Sequence, residues 1–545
     1  MTESELPVIE MHPYRWGDPD RPMPLPELAR AALAQLGATP PAAPVDPAEM
    51  PLPEIALPAD ARAAIEAAVG AEHVSTSHED RVRHTRGCST PDLLRLRAGD
   101  AADAPDAVVF PGSHDEVLAL LAACSAHRAA VVPHGGGTSV VGGLAPAREG
   151  FAGVVAVDLR RLDQLVAVDP ESRTATLQAG VRGPRAERLL ADHGLTLGHF
   201  PQSYEGAAIG GYAATRSSGQ SSAGYGRFDE MVVGLTLATP RGTLDLGSAP
   251  KSAAGPDLRQ LVLGSEGVFG VITAVTVRVR PRPEKRLFEG WRFASFEAGA
   301  AALRRLAQDG PLPTVVRLSD EAETAVNLAD PSGESESRDR EGGEDDGSAI
   351  AGGCLAICGY EGAATEVTAR RAAAAAVLAG ARGELLGPEP GEAWRAGRFR
   401  APYLRDPLLD AGALVEALET ATFWSNLGRL RHAVTEALTG ALAAQGTPAV
   451  VLCHISHVYE TGASLYFTVV CAQAPDPVAQ WRAAKAAANQ AIGDAGATIT
   501  HHHAVGIDHR EGYAREVGPL AIEALRAVKR TLDPEGICNP GVLVG

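Results

Sequence analysis

A tyrosine in the second half of the chain could move protons. Residues 463–471 alternate between apolar and polar side chains, which predicts a β-strand with one buried face. Tyr466 falls on the polar face, opposite to Leu465, Phe467 and Val469. A phenol at this position could exchange a proton with a ligand. An ordinary half-buried strand tyrosine would show the same pattern and remains the alternative.

Three adjacent histidines form a second candidate group. His501, His502 and His503 follow the β-like run 498–500, so we expect His501 and His503 on one face of the chain and His502 on the other. A neutral imidazole accepts a proton near pH 7, and an imidazolium binds anions. A proton shuttle and an anion site are therefore both open, as is a purely structural run of histidines.

A glycine-rich loop in the first half could bind an anion through its backbone. It follows a predicted helix (117–127) and strand (129–132), and its members are Pro133, His134, Gly135, Gly136, Gly137, Thr138 and Ser139. Three consecutive glycines let the main chain turn tightly and direct its N–H groups at a negative charge. The spacing matches neither the dinucleotide G-x-G-x-x-G pattern nor the phosphate loop that carries a lysine. A loop that merely needs positive φ is the alternative.

Two further small-residue segments, at 210–219 and 264–273, adjoin predicted strands at 232–240 and 275–279. Together and in this order, the three segments resemble the FAD-binding domain of the vanillyl-alcohol oxidase type of flavoprotein. The resemblance implies that the first loop holds the pyrophosphate of FAD and that the later segments line its ribityl chain and isoalloxazine ring. Besides the seven loop residues, it assigns to the cofactor Pro201, Ser203, Gly210, Gly211, Thr215, Ser217, Ser218, Ser265, Glu266, Gly267, Gly270 and Val271.

The glycine loop also predicts that FAD is held without a covalent bond. Relatives with a histidyl link place the attachment histidine next to the glycines, in the order G-G-H. In this chain Thr138 follows Gly137, and His134 lies on the other side of the glycines. We therefore expect non-covalent FAD.

Longer motifs carry a more specific resemblance. Residues 398–406, the strand of Tyr466 and the histidine triplet, in this order, resemble the alkyldihydroxyacetonephosphate synthase family, as do residues 14–17 and 87–97. The similarity extends from Trp16 onward, apart from an acidic segment at 331–347. It implies that Tyr466 transfers a proton and that Arg405 holds the substrate, with Arg317 nearby. It also implies that His501, His502 and His503 are required for activity.

In that family the acyl group of acyl-dihydroxyacetone phosphate is exchanged for a fatty alcohol through a bond to the flavin N5, with no net oxidation. Removing a proton beside a ketone needs a base and an electrophile. Tyr466, with an ordinary pKa of ~10, would need cationic neighbours to ionise, and Arg405 and the imidazoles could supply them. We therefore expect an FAD-dependent enzyme of this ether-forming type.

An FAD-dependent D-2-hydroxy-acid dehydrogenase or oxidase is the alternative, because the glycine segments do not distinguish it. Such enzymes gather a metal ion with H-x-G-D-G-N-x-H and E-H-G motifs. Here residues 457–466 lack the second histidine, and His502 stands where the glutamate would be, so no metal site is predicted. His454 and His457 are expected to line the site or pack within a strand. A flavin-binding scaffold without activity is the least favoured interpretation.

Composition narrows the class of partner. The 545 residues carry a formal net charge of -18, which argues against nucleic acid and anionic membranes. No apolar run reaches the ~18 residues of a membrane span, and the N-terminus lacks a signal pattern. The seven cysteines show no C-x-x-C spacing. We expect a cytoplasmic protein that acts on a small lipid-like molecule with at most peripheral membrane contact, and a homodimer is left open.

The order of these features predicts an α+β protein. Residues 1–100 should lead as helical and extended structure into the flavin domain. Residues 101–283 should form a PCMH-type FAD-binding domain of two α/β subdomains, ending where Pro281 and Pro283 stop strand formation. Residues 284–520 should form a cap domain with an antiparallel sheet covered by helices, interrupted by a disordered polar loop at 331–347. Residues 521–545 should form a C-terminal helix, around 520–532, and a tail that returns to the flavin domain.

Overall fold

The computed structural model describes residues 3–17, 20, 22–145, 147–329 and 352–544 of the chain. Within these ranges the predicted α+β architecture is present. Sheets of four and five strands, together with a two-stranded ribbon, form the flavin-binding half, and a seven-stranded sheet forms the cap. The polar loop predicted at 331–347 lies outside the described residues. No helix in the described ranges has the length and apolar character needed to cross a lipid bilayer.

The first sheet and the elements before it support the glycine loop. The helices and strands are α1 (Glu27–Gln35), α2 (Ala59–Val69), β1 (Val74–Ser75), α3 (His78–Arg83), α4 (Thr90–Arg97), β2 (Ala107–Val109), α5 (His114–Ala126), β3 (Ala129–His134) and β4 (Gly153–Asp158). In the strand order β1-β2-β4-β3, the last three are parallel. Every residue of β2 and β4 is buried, as expected where both faces of a parallel sheet are covered. The glycine loop begins at the carboxyl end of β3, where parallel sheets place their ligands.

The second sheet of the flavin half is antiparallel. Its elements and their neighbours are β5 (Leu165–Asp169), β6 (Thr174–Gln178), α6 (Gly183–Ala191), β7 (Leu195–Thr196), α7 (Ile209–Thr215), α8 (Ser222–Tyr225), α9 (Phe228–Met231), β8 (Val232–Thr239), β9 (Gly242–Leu246), α10 (Arg259–Val262), β10 (Val271–Arg278) and β11 (Arg280–Pro281). The strand order is β5-β6-β10-β8-β9. Two expectations need correction. Strand β10 starts earlier than predicted, at Val271, and Arg280 and Pro281 still pair with β7 because a two-residue edge ribbon tolerates proline.

The cap is one antiparallel sheet with helices packed on it. Its elements are β12 (Lys285–Phe293), α11 (Phe296–Asp309), β13 (Val315–Ser319), α12 (Glu321–Ala329), β14 (Cys354–Gly362), α13 (Ala364–Gly380), β15 (Glu384–Gly387), α14 (Glu389–Gly397), α15 (Ala401–Asp410), β16 (Ala413–Phe423), α16 (Leu427–Ala443), β17 (Val450–Val458), β18 (Gly462–Ala472) and α17 (Pro477–Asp494). The strand order is β15-β12-β14-β13-β17-β18-β16. The predicted strand of Tyr466 is β18, and its apolar residues Leu465, Phe467 and Val469 are buried as expected.

The C-terminal segment returns to the flavin half, as expected. Helices α18 (Arg510–Val517) and α19 (Pro519–Leu532) follow the cap, and Cys538 then forms a parallel bridge with Val131 of β3. Ile537, Cys538 and Val542 belong to the hydrophobic core of the flavin half. A second core, which runs from Trp291 to Ile499, belongs to the cap.

Candidate active site

A cavity of about 410 Å³ lies where the two halves meet. The flavin half contributes the glycine loop, the start of α7 and the turn before β10. The cap contributes α15 and the strands β13, β16, β17 and β18. Ligand cavities in proteins typically measure about 300–1,000 Å³, so this one can hold part of a cofactor together with a substrate.

The flavin side of the wall contains the predicted cofactor residues with one exception. Those present are Pro133, His134, Gly135, Gly136, Gly137, Thr138, Ser139, Pro201, Ser203, Gly210, Gly211, Thr215, Ser217, Ser218, Glu266, Gly267, Gly270 and Val271. Ser265 is not on the wall, because it lies in the turn after α10, where its N–H donates to Val262 O and its side chain is buried. The side chain of Glu266 accepts hydrogen bonds from the N–H groups of Val505 and Gly506. It therefore connects this turn to the segment that follows the histidine triplet.

The glycine loop fits a pyrophosphate. A Cβ on Gly136 would lie 1.9 Å from Gly206 O, and Gly137 has φ +72, so both positions require glycine. In the part of the chain that the structure describes, the amides of residues 135–137 donate to no protein acceptor. Buried polar atoms nearby also lack partners, among them Ser218 Oγ and Tyr212 OH. Because unsatisfied buried polar groups are rare, this wall fits a large polar ligand such as FAD.

Tyr466 faces the cavity from β18 and stacks on His454 of β17, with ring centroids 4.9 Å apart and planes inclined by 21°. Burial raises the pKa of Tyr466, and the carboxylates of Glu416 and Glu419 raise it further. Arg405 opposes this effect without reversing it. The expectation that cationic neighbours ionise Tyr466 is therefore wrong for this arrangement, in which the phenol keeps its proton at neutral pH.

The histidine triplet lies in a bend between α17 and α18 rather than in a strand. His502 and His503 line the cavity, whereas His501 lies behind them with Nε2 2.6 Å from Tyr459 OH. The predicted alternation of faces is wrong because the backbone wraps around Glu419. The Glu419 carboxylate accepts hydrogen bonds from the N–H groups of His501, His502 and His503 at 2.7, 2.9 and 2.8 Å.

Most imidazoles at the site are neutral. Burial lowers the pKa of His503 to about 3 and holds the pKa of His501 well below its usual range. Burial likewise lowers the pKa of His457, which lies on the cavity wall, to about 3. A neutral imidazole has a nitrogen lone pair, so His503 can accept a hydrogen bond at the cavity wall.

Arg405 is the cation most available to a ligand. Its side chain on α15 is buried on the cavity wall, and its Nε and Nη2 atoms have no protein partner among the described residues. Guanidinium groups bind phosphate and carboxylate groups through parallel hydrogen bonds. A buried arginine whose Nε and Nη2 atoms bond no protein atom among the described residues is suited to bind an anionic substrate.

Arg317 also reaches the wall, but a protein carboxylate already engages it. Its Nη2 donates to Glu323 Oε1 at 2.7 Å and lies 3.1 Å from His454 Nδ1. Burial of Glu323 is outweighed by Arg317 and then His454, which lower the pKa of that carboxyl to about 2. Arg317 therefore stabilises the part of the wall that contains His454 and Tyr466. Because Glu323 already pairs with it, its positive charge is less available to a ligand than that of Arg405.

Three buried carboxylates, Glu323, Glu416 and Glu419, were not predicted from the sequence. Glu416 and Glu419 are the two charged residues of strand β16, which is otherwise mostly apolar. They are three positions apart, so they lie on opposite faces of the strand. Glu416 lines the cavity and accepts a hydrogen bond from Thr90 N at 2.6 Å. The available signal was the presence of two charged residues in a mostly apolar strand, of which residues 413–416 and 418–420 are buried. Glu323 gave none, because it lies among other acidic residues at the start of α12.

Two groups of three side chains, all buried except the half-buried His502, bring potential ligand atoms within 4.8 Å of one another. The first group is His457, His501 and His502, and the second is His84, His134 and Asp158. In the first group His457 Nε2 lies 2.9 Å from Gly219 O, and His501 Nδ1 lies 2.9 Å from His502 Nδ1. In the second, Arg160 and His84 both contact Asp158 Oδ2. Hydrogen bonding accounts for these contacts, and the absence of a metal site stays a prediction.

Comparison with known families defines the class of protein. Residues 105–246 match the family described as FAD binding domain, and residues 282–543 match the family described as FAD linked oxidases, C-terminal domain. The chain is therefore an FAD-dependent enzyme of the FAD-linked oxidase class.

Longer similarities define the family within this class. The alkyldihydroxyacetonephosphate synthase of Dictyostelium discoideum is 34% identical over 480 residues, which cover 85% of this chain and 77% of that protein. A solved structure of an alkyldihydroxyacetonephosphate synthase superposes with a TM-score of 0.82 at 28% identity, and the match covers 97% of this chain and 98% of that one. The chain belongs to the alkyldihydroxyacetonephosphate synthase family.

The similarity to hydroxy-acid enzymes is shorter. The mitochondrial D-lactate dehydrogenase [cytochrome] of Arabidopsis thaliana is 34% identical over 234 residues, which cover 42% of this chain and 40% of that protein. A match of this extent leaves more than half of either chain without a counterpart. It carries less weight for function than the match to the synthases.

Proposed function

We propose that this enzyme exchanges the acyl group of acyl-dihydroxyacetone phosphate for a long-chain alcohol and so forms an ether. One observation carries the proposal: buried Arg405, two of whose nitrogens bond no protein atom among the described residues, shares a cavity with Tyr466 and His503. A phosphate would satisfy the guanidinium. Held in this way, the substrate would present the carbon beside its ketone to groups that transfer protons.

Each wall of the cavity would contribute differently to the reaction. Bound FAD supplies an electrophilic centre for the substrate carbon. Tyr466 holds a proton on its hydroxyl oxygen, and neutral His503, whose ring centroid lies 5.6 Å from that of Tyr466, accepts protons. Arg405 orients the phosphate. Apolar side chains on the wall, Trp16, Trp394 and Pro402, exclude water and contact the alkyl chain.

The decisive experiment supplies the purified holoenzyme with the substrates of both candidate reactions, ether formation and hydroxy-acid oxidation. Acyl-dihydroxyacetone phosphate with a radiolabelled fatty alcohol should give a labelled ether, with release of one fatty acid for each ether formed. The same preparation should not transfer electrons from a panel of D-2-hydroxy acids to a dye. Steady dye reduction by a hydroxy acid without ether formation would instead assign the chain to the dehydrogenases.

We also propose that FAD is bound without a covalent link. The support is that Thr138 follows the three glycines and that the ring of His134 is buried beside His84, with centroids 4.4 Å apart. Acid precipitation should release all the flavin into the supernatant. Yellow colour retained in the denatured pellet would contradict this.

The division of the chain is part of the proposal. Residues 101–283 would form the flavin domain, with residues 1–100 leading into it, residues 284–520 the cap and residues 521–545 the returning tail. The hydrophobic cores support the boundary near residue 283, since the first core includes Val279 and the second begins at Trp291, whereas Val505 already belongs to the core of the flavin half. We place the enzyme in the cytoplasm, with at most peripheral membrane contact, as a monomer or homodimer. Cell fractionation and light scattering test these points.

A further inference from the structure

The backbone around Trp16 lies against helix α15 of the cap. Asp406 of α15 accepts hydrogen bonds from Trp16 N at 3.0 Å and from Gly17 N at 3.1 Å. A Cβ on Gly17 would lie 2.9 Å from Cδ1 of Tyr403, also on α15, so the two backbones approach closely. The N-terminal turn is therefore fixed to the helix that carries Arg405, although 390 positions separate Trp16 from Asp406 in the sequence.

Charged side chains hold the residues before Trp16 on the same helix. Arg15 Nη1 donates to Asp410 Oδ2 at 2.9 Å. Arg97 of α4 donates through Nη1 to Asp410 Oδ1 at 2.6 Å and through Nε to Tyr14 O at 3.3 Å. The turn formed by residues 14–17 is thus docked on α15 along its whole length.

The indole of Trp16 is buried on the cavity wall beside Arg405. Trp16 is 5% exposed and packs with Met11 and Cys88. The Arg405 Cζ atom lies 6.0 Å from the centroid of the ring. At this distance a guanidinium is attracted to the negative face of an aromatic ring. The contact restricts the orientation of Arg405, whose Nε and Nη2 atoms bond no protein atom among the described residues.

The carboxylate that follows Arg405 in the sequence does not neutralise it. Asp406 is 6% exposed, and both of its oxygens accept from Trp16 N, at 3.2 and 3.0 Å. Among the described residues the basic partner of Asp406 is Arg97, at 3.7 Å, and no carboxylate lies within 4.0 Å of the Arg405 guanidinium. Docking of the turn therefore engages Asp406 and leaves the positive charge of Arg405 to a ligand.

We propose that Trp16 is a positioning residue for the anion-binding end of the cavity. Docked on α15 through Asp406, its indole holds the guanidinium of Arg405 toward the cavity and shields it from water. Excluding water strengthens a charge-assisted hydrogen bond, because the local dielectric constant falls. The inference rests on the proposed function for the identity of the anion, which would be the phosphate of the substrate.

Inorganic phosphate, titrated into the FAD-loaded enzyme without other substrates, tests the role of the indole. Binding is followed by phosphorus NMR, and the part of it that Arg405→Ala abolishes defines the site. Trp16→Leu keeps an apolar side chain but no aromatic face, so it should weaken this binding roughly 5- to 30-fold. Trp16→Phe retains an aromatic face and should stay within about twofold of the wild type. Trp424→Leu, the same substitution at a tryptophan that is not part of the cavity wall, is the control and should bind phosphate as the wild type does.

Variants of Asp406 test the docking of the turn separately from the ring. Asp406→Ala should release the turn, so trypsin should cleave the native holoenzyme after Arg15 faster than it cleaves the wild type. The affinity for phosphate should fall as it does in Trp16→Leu. Asp406→Asn keeps one acceptor oxygen and should show smaller changes in both measurements. Flavin content reports whether each variant folds, and if Asp406→Ala loses FAD, the comparison is made with Asp406→Asn.

The outcomes distinguish this inference from the proposed function. Wild-type phosphate affinity in Trp16→Leu, or equal losses in Trp16→Leu and Trp16→Phe, overturns the role of the indole. Faster cleavage after Arg15 with unchanged phosphate affinity overturns the link between the docked turn and Arg405. If all variants bind phosphate as expected but the enzyme forms no ether, the proposed function fails while the role of Trp16 stands.

Discussion

At the scale of single residues, the site combines a proton held on a phenol with neutral bases beside it. The buried environment keeps Tyr466 protonated, and it keeps His503 neutral. At neutral pH the phenol can therefore donate a hydrogen bond, and the imidazole can accept one. Arg405 alone does not ionise Tyr466, so the ionisation of this phenol depends on the cofactor and substrate that bind in the cavity.

Replacing Tyr466 with phenylalanine should lower turnover by roughly 10²-fold or more, because the mutation removes the hydroxyl that we propose transfers a proton, while the ring can still stack on His454. Flavin content and thermal stability should stay close to those of the wild type. Tyr360→Phe is the matched control, since it deletes the hydroxyl of a buried tyrosine on β14 that is not part of the cavity wall. Full activity in Tyr466→Phe would reduce Tyr466 to a packing residue.

Arg405→Ala should weaken binding of a phosphate-bearing substrate by roughly 10- to 150-fold, since a charged hydrogen bond contributes about 1.5–3 kcal/mol. The chain's net charge of -18 offers no substitute attraction. The measurement is KM, or competition by inorganic phosphate, with flavin content as the check on folding. Arg395→Ala, which removes a partly exposed arginine paired with Glu392, serves as the control and should leave KM unchanged. Equal effects of the two variants would exclude a substrate role for Arg405.

At the scale of elements, regular patterns were predictable and irregular backbone was not. The alternation in 463–471 gave strand β18 and the buried face of Leu465. The same two-residue alternation gave a wrong prediction for the faces of the histidine triplet. Hydrogen bonds to Glu419, about 80 residues away in sequence, bend the chain there. A local pattern contains no information about a distant carboxylate. Glu323 stayed hidden for another reason: it is only six positions from Arg317, but it lies among other acidic residues at the start of α12 and does not stand out.

The glycine loop shows how one element can decide cofactor binding. Gly136→Ala should reduce the FAD content of the purified protein severely, because the new Cβ would lie 1.9 Å from Gly206 O and force the two loops apart. The absorbance ratio of flavin to protein measures this. Gly440→Ala is the control, since nothing lies within 4 Å of a Cβ on that residue of helix α16. Normal flavin content in Gly136→Ala would show that the loop can relax without losing the cofactor.

At the scale of the whole molecule, the N-terminal segment joins the flavin half to the cap. Glu3 accepts from Arg398 Nη2 at 2.6 Å and from Arg286 Nη1 at 2.9 Å, both in the cap. Its backbone oxygen accepts from the hydroxyl of Tyr204 in the flavin half, and Leu6 O accepts from Arg188. The sequence predicts this region only as a lead into the flavin domain, because pairings across roughly 280–395 positions leave no periodic trace.

The two halves should therefore depend on Glu3 for their mutual stability, in a pH-dependent way. Burial disfavours the charge, but Arg398 and then Arg286 outweigh it and lower the pKa of Glu3 below 4.5. A carboxyl with a lowered pKa in the folded state stabilises the protein above its unfolded pKa, and the contribution is lost as the pH falls through the folded value. Glu3→Gln should lower the melting temperature by several degrees at pH 7, because it removes the paired carboxylate of buried Arg398 and leaves Arg286 with only its longer contact to Glu361 at 3.5 Å. The difference from the wild type should narrow only below pH 4.5. Glu54→Gln, at an exposed position, is the control. Equal melting temperatures for both variants at pH 7, or a gap that widens on acidification, would contradict this role of the N-terminal segment.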